Sequence, residues 1–149
     1  VNFVGVLKLF TMKQLVPVSA IMTKNIIALT RSDNLERAEA LFNRYKIKHI
    51  PVVSGETVIG MLSYSDLLKI SYSDLSEDEH NIDSVVYNMF TIEQVMVKDV
   101  VTISSDTSIK EAAGILAKRE FHALPIVDEG TLIGIITTTD LLNYFIEQF

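Results

Sequence analysis

Two short runs, Ser63-Tyr64-Ser65-Asp66 and Thr137-Thr138-Thr139-Asp140, each set a hydroxyl three residues ahead of a carboxylate. Each follows an apolar run, Val58 to Leu62 or Leu132 to Ile136, and precedes Leu67-Leu68 or Leu141-Leu142, so each falls where a strand ends and a helix begins. At such a junction, backbone N–H groups and the positive end of the helix dipole face one space, which suits a phosphate. A hydroxyl can donate to a phosphate oxygen, and an ionised carboxylate can accept two hydrogen bonds from vicinal hydroxyls. The same spacing is also a capping box, worth about 1 kcal/mol to a helix with no ligand present. One residue can serve both roles.

Net charge restricts what else could hold an anion. At −6 over 149 residues, no global positive field draws the chain to nucleic acid or to an anionic membrane. Any phosphate must be held by local groups, and Lys48, His49 and His122 stand just ahead of Pro51 and Pro125. A neutral imidazole still donates one hydrogen bond and gains charge beside an anion. Because Lys48-His49 precedes one proline where His122-Ala123 precedes the other, the two sets are unequal.

Catalytic and metal chemistry find no such support. There is no cysteine, hence no disulfide, thiolate metal site or cysteine nucleophile. No phosphate-binding glycine loop, nucleophile elbow or helical histidine pair occurs. His49, His80 and His122 are scattered without metal-ligand spacing, and the paired Glu77 and Glu79 sit in a polar stretch that would not fix them. The expectation is a protein that is not an enzyme and holds no metal.

The elements that must position these residues are written twice. Met22 and Met96, Pro51 and Pro125, Gly60 and Gly134, and Asp66 and Asp140 are all separated by the same 74 residues. Ile26 to Leu29 and Val100 to Ile103 read as short strands. Leu35, Ala38, Leu41, Phe42 and Tyr45 follow helical spacing, as do Ile109, Ala112, Ala113 and Leu116. Asp33, three residues before Glu36, and Thr107 at the matching position are the expected N-caps. Then come two apolar runs around a glycine turn at Gly55 or Gly130, a strand hairpin, and a closing helix. The order per copy is strand, helix, strand, strand, helix.

Around this pattern the chain divides into an N-terminal extension (1–16), copy one (17–70), a connector (71–90) and copy two (91–149). Asp74, Glu77, Asp78, Glu79 and Asp83 make the connector an acidic linker, and Val85 to Phe90 read as a short helix. The apolar stretch Val1 to Phe10 lacks a preceding basic segment and is broken by Lys8, with Lys13 just beyond, so it does not read as a signal peptide. No apolar run approaches the roughly 20 residues that span a bilayer. Cytoplasmic localisation, no membrane association and no nucleic-acid partner are the expectations, with Met12 an alternative start.

The ordered set, present twice in register, resembles the CBS (cystathionine β-synthase) domain family over nearly everything except the first sixteen residues and the linker. The resemblance implies an α+β fold in which two CBS domains pack about a pseudo-twofold axis and leave two clefts that take adenosine-containing ligands. It assigns Asp66 and Asp140 to a ribose, and Ser63 and Thr137 to the phosphate side. It assigns the base to the first strand and the residues flanking each proline: Ala28, Leu29 and Thr30 with Ile50 and Pro51, and Thr102, Ile103 and Ser104 with Leu124 and Pro125. Lys48, His49 and His122 stand where family members often carry basic residues.

The resemblance further implies a stand-alone regulatory module that binds AMP, ADP, ATP or S-adenosylmethionine, forms a homodimer and signals to an effector protein. The competing reading is an interaction or dimerisation scaffold with vestigial clefts. The apolar Ile21-Met22 and Val95-Met96 elements are the expected dimer rim.

Overall fold

Two β-hairpins anchor the structure, a computed structural model that describes residues 3–5, 15–73 and 87–149. In the first, β1 (His49–Ser54) pairs antiparallel with β2 (Thr57–Ser63), His49 lying opposite Ser63 and Ile50 opposite Leu62. The second repeats it as β3 (Ala123–Asp128) and β4 (Thr131–Thr137), with Ala123 opposite Thr137 and Leu124 opposite Ile136. The register shifts at Val52/Val53 and again at the equivalent Ile126/Val127. Both turns are two-residue loops that need positive φ, supplied by Gly55 (62°) in one and by Glu129 (50°) and Gly130 (80°) in the other.

Helices flank each hairpin: α1 (Leu35–Tyr45), α2 (Tyr64–Ser73), α3 (Ile92–Val95), α4 (Ile109–Lys118) and α5 (Thr138–Glu147). A 3-10 turn spans Val18–Ala20, and residues 87–89 are helical. The faces are those the spacing requires. Leu35, Ala38 and Phe42 of α1 are buried, as are Ile109, Ala112 and Leu116 of α4. The architecture is α+β, with one sheet per copy.

Two local expectations are corrected. The N-cap of α1 is Asn34, whose Oδ1 accepts from Arg37 N at 2.8 Å, and that of α4 is Ser108, whose Oγ accepts from Glu111 N at 3.1 Å. The caps lie one residue after Asp33 and Thr107, because those two side chains face backwards into the preceding turn. Asp33 Oδ2 accepts from Thr30 N (2.8 Å) and from Thr30 Oγ1 (3.2 Å), and Thr107 Oγ1 lies 3.1 Å from Ser104 Oγ. The same turns shorten the first strands. Each run forms only a single-residue parallel bridge, Leu29 with Val52 and Ile103 with Ile126, before the chain bends away. Thr30 and Ser104 are diverted by local side chains that compete with a ladder.

The chain does not pack copy by copy. One compact unit is Ile27–Val100, and the other joins Val1–Ile26 to Val101–Phe149. The lead segment of copy two pairs with hairpin one, Met61 N donating to Val97 O (3.0 Å) and Val97 N to Met61 O (2.9 Å). The lead segment of copy one pairs with hairpin two in the same way, through Thr23 and Ile135 at 2.9 and 3.1 Å. Gly60 and Gly134 make room for this. A Cβ at Gly60 would lie 2.8 Å from Met96 Cγ, and one at Gly134 2.6 Å from Met22 Sδ.

Each unit has its own core. Leu29, Leu35, Phe42, Ile50, Leu62 and Leu67 pack with Tyr87, Ile92 and Met96 in one. Val18 joins Ile103, Ile109, Leu116, Leu124, Ile126 and Ile136 in the other, with Ile21 and Met22 packed against it. Of the expected dimer-rim residues, Met96 is buried in a core, while Ile21, Met22 and Val95 are half-buried and packed against the cores. Within the connector, Asp74, Glu77, Asp78, Glu79 and Asp83 lie outside the described residues, as do Val85 and Val86, Lys8, Met12 and Lys13.

Candidate functional site

The copy-one candidates all fall in the unit Ile27–Val100 and the copy-two candidates all in the other, so each half-site is a property of one unit. In the first, β2 runs straight into α2. Asp66 N donates to Ser63 Oγ (3.0 Å) and Ser63 N donates to Asp66 Oδ2 (3.3 Å), a reciprocal capping box. The junction of β4 and α5 repeats it: Asp140 N to Thr137 Oγ1 at 3.1 Å, and Thr137 N to Asp140 Oδ2 at 2.9 Å. Both carboxylates are half-buried.

The basic positions meet the same junctions through their backbones. Tyr64 N donates to Lys48 O at 2.8 Å and Thr138 N to His122 O at 2.9 Å, while His49 lies opposite Ser63 across the hairpin. Lys48 and His122 are exposed and His49 is half-buried. At the start of each helix, the N–H groups of Ser63, Tyr64 and Asp66, or of Thr137, Thr138 and Asp140, are thus engaged by the protein. Among the described residues the Ser65 and Thr139 N–H groups at the second helical position remain for an incoming acceptor, as does Oδ1 of each aspartate for an incoming donor. Ser65 and Thr139 are exposed, and sequence reasoning passes over them although they sit inside both motifs.

The proposed base-binding residues divide by environment. Leu29, Ile50, Pro51, Ile103, Leu124 and Pro125 are buried, and the four aliphatic side chains belong to the two cores. Leu29 N donates to Pro51 O (3.0 Å) and Ile103 N to Pro125 O (3.1 Å), which ties each first segment to the strand carrying its proline. Thr30 and Thr102 are exposed, and Ala28 and Ser104 half-buried, so these are the positions where a ligand could meet a side chain. The described segments therefore bring the first segment, the proline strand and the capped junction to one hairpin in each unit.

Beside each half-site stands a contact that sequence reasoning misses, and the two copies differ there. Arg31 Nε lies 2.6 Å from Glu93 Oε1 on α3, both side chains about half exposed. At the position equivalent to Arg31, Ser105 donates to Asp128 instead, its N–H to Oδ1 (3.0 Å) and its hydroxyl to Oδ2 (2.6 Å). The Ser105 hydroxyl first, and its N–H second, hold the Asp128 carboxyl below the usual carboxylate range. The signal that could have revealed this is the mismatch between copies: Arg31 against Ser105 and Ser54 against Asp128, each 74 residues apart. Among the described residues no cluster of His, Asp and Glu is arranged to hold a metal ion, and no helix is long and apolar enough to cross a membrane.

Comparison with known proteins agrees with this arrangement. The family model "CBS domain" matches residues 18–73 and again 92–147. An uncharacterised protein of Methanocaldococcus jannaschii is 31% identical over 127 residues, covering 83% of this chain and 45% of that protein. An inosine-5′-monophosphate dehydrogenase of Staphylococcus epidermidis is 33% identical over 121 residues, covering 78% of this chain and 22% of the enzyme. The chain thus spans less than half the length of these curated relatives. Among solved structures, CBSX2 in complex with AMP superposes with a TM-score of 0.73 at 22% identity, over 89% of this chain and 98% of that one. A CBS domain pair solved with 5′-methylthioadenosine and S-adenosyl-L-methionine gives a TM-score of 0.75 at 22% identity, over 91% and 99%. Both show the fold alone. With two family matches that follow the internal repeat and span most of its length, the chain belongs to the CBS domain family and carries a tandem pair of these domains.

Proposed function

We propose that this pair is a regulatory module that binds an adenosine-containing ligand and passes its occupancy to a partner protein, without catalysing a reaction itself. The carrying observation is the twice-built junction in which Ser63–Asp66 and Thr137–Asp140 close a cap yet keep one carboxylate oxygen and one N–H available. In this reading Asp66 and Asp140 accept from the ribose. Ser63 and Thr137, with Lys48, His49 and His122, serve the phosphate side, and the segments Ala28–Thr30 and Thr102–Ser104, with Ile50, Pro51, Leu124 and Pro125, border the base. The structures solved with AMP and with S-adenosyl-L-methionine support the ligand class, since AMP, ADP, ATP and S-adenosylmethionine share the adenosine part. The enzyme relative matches this chain over 22% of its own length, which fits a regulatory part borne by a larger protein.

Thermal unfolding against a panel of these four compounds tests the reading. At ligand a hundredfold above its dissociation constant, the folded state gains about 2.7 kcal/mol. No shift with any of the four would leave the scaffold reading in possession.

The module further assembles as a homodimer through α5. Leu142, Phe145, Ile146 and Phe149, at spacings of three and four, are each more than half exposed and form an apolar stripe. Pairing two copies of such a stripe about a twofold axis removes on the order of 1,000 Å² from water, the lower bound for a specific interface. Light scattering should give twice the chain mass for the wild type and a single chain for Phe145→Glu; a wild-type monomer over a wide concentration range would refute the assembly.

A further inference from the structure

The loops that follow the first segments carry Thr30 and Ser104, and the side chains at equivalent repeat positions anchor them differently. Three positions are involved: 31 and 105 in the loop, 54 and 128 at the end of the proline strand, and 93 and 19 in the exchanged lead segment. In the unit Ile27–Val100 the loop reaches the lead segment, through Arg31 and Glu93 at 2.6 Å. In the other unit the loop's side chains reach its own hairpin, through the two donors of Ser105 on Asp128, while the lead segment adds backbone bonds, Val18 N to Thr107 O at 2.8 Å and Ser19 N to Ser105 O at 3.2 Å.

These anchors differ in strength. An exposed ion pair between two long side chains contributes little and weakens with salt. A carboxylate that accepts two short, geometrically fixed donors from one short residue is stronger, and one donor is a backbone N–H, so the loop backbone itself is pinned. Local contacts fix the two first-segment hydroxyls alike, Ser104 through Asp106, which accepts its hydroxyl, and Thr107 Oγ1 at 3.1 Å, and Thr30 through Ser32 Oγ at 2.8 Å and Asp33 Oδ2 at 3.2 Å, so the difference between the loops lies in the clamp. A site whose loop is already ordered loses less freedom on binding.

We propose that Asp128 is a positioning residue for the copy-two half-site, clamping the loop that bears Ser104 so that this half-site is pre-organised and takes an adenosine ligand more tightly than its copy-one counterpart. The inference rests on the adenosine reading above. It adds that the two half-sites are unequal, and that the inequality is set by the side-chain clamp on the copy-two loop, which Arg31 and Ser54 do not form in copy one.

The test uses the full chain, with AMP and S-adenosylmethionine as probes. Amide exchange in the ligand-free protein should be slower at Ser104–Ser108 than at Thr30–Asn34. Asp128→Ala should narrow that difference and weaken the tighter of two calorimetric binding steps about tenfold, roughly the loss expected for a charge-assisted hydrogen bond, leaving the weaker step in place. The double substitution Arg31→Ser with Ser54→Asp transplants the clamp into copy one, and should slow exchange at its loop and bring the weaker step toward the stronger. A structural role without positioning would not produce that gain. If Asp128→Ala frees the loop but both steps keep their affinity, the inference fails and the adenosine reading stands. If neither probe binds the wild type, both fail together.

Discussion

Asp66 and Asp140 each have two tasks that one substitution can separate. As the third helical residue, each accepts an N–H through Oδ2, a task an asparagine oxygen can perform. Accepting from two ribose hydroxyls at once draws on the charge. Asp66→Asn and Asp140→Asn should therefore melt close to the wild type while losing roughly 1.5–3 kcal/mol of nucleotide affinity. Calorimetric titration of both single variants and the double measures this; unchanged affinity in the double would reduce the carboxylates to helix caps. Asp128 is the other carboxylate with a distinct signature. Its folded pKa is lowered by the two Ser105 donors, so the contact contributes stability above the unfolded pKa and is lost as pH falls through the folded one. The Asp128 carboxyl resonance, followed by NMR, should titrate below that of an ordinary aspartate. A midpoint at or above the ordinary value would mean that the clamp is open in solution.

Between hairpin and lead segment, the tightest requirement falls on two glycines. A methyl group at Gly60 meets Met96 Cγ at 2.8 Å and Val97 O at 3.0 Å; at Gly134 it meets Met22 Sδ at 2.6 Å and Thr23 O at 3.3 Å. A thioether can swing aside more readily than a paired backbone carbonyl, so Gly60→Ala should cost more than Gly134→Ala, within about 1–3 kcal/mol. Urea unfolding of the two variants checks the order, and equal midpoints would show that the methionines absorb the clash. These elements also show what can be read without coordinates. The repeat, both hairpins and all four long helices are legible because apolar spacing changes period in the same order twice. The caps fall one residue beyond their expected positions because Asp33 and Thr107 have a rival partner in the preceding turn, Thr30 and Ser104. Both junction motifs are legible as motifs, yet their spare atoms, the Ser65 and Thr139 N–H groups, emerge only when every other donor at the helix start is assigned. The Arg31–Glu93 and Ser105–Asp128 contacts join residues 62 and 23 apart, and no local pattern announces such a pair.

At the scale of the whole chain, the sequence repeat and the compact unit are different objects. The repeat begins with a lead segment, but that segment completes the other copy's unit, so cutting the chain between its repeats leaves neither core whole. The core around Leu29 and Leu62 takes Tyr87, Ile92 and Met96 from beyond residue 73. Tyr87 reaches further, its hydroxyl donating to Glu39 on α1 and lying 3.2 Å from Ser71 on α2. Burying a large side chain is worth roughly 1.5–3 kcal/mol, so removing these three deletes about 5–9 kcal/mol. A domain has only about 5–15 kcal/mol in total, and one of this size sits near the low end. A fragment of residues 27–100 should therefore unfold cooperatively in urea, whereas a fragment of residues 17–73, which holds the whole of repeat one, should show no cooperative transition. Adding a peptide of residues 87–100 to the shorter fragment should restore one, because it supplies Tyr87, Ile92 and Met96 together with the Val97 pairing to Met61. If the shorter fragment alone unfolds as sharply as the longer, the exchanged segments contribute little, and each repeat is a folding unit in its own right.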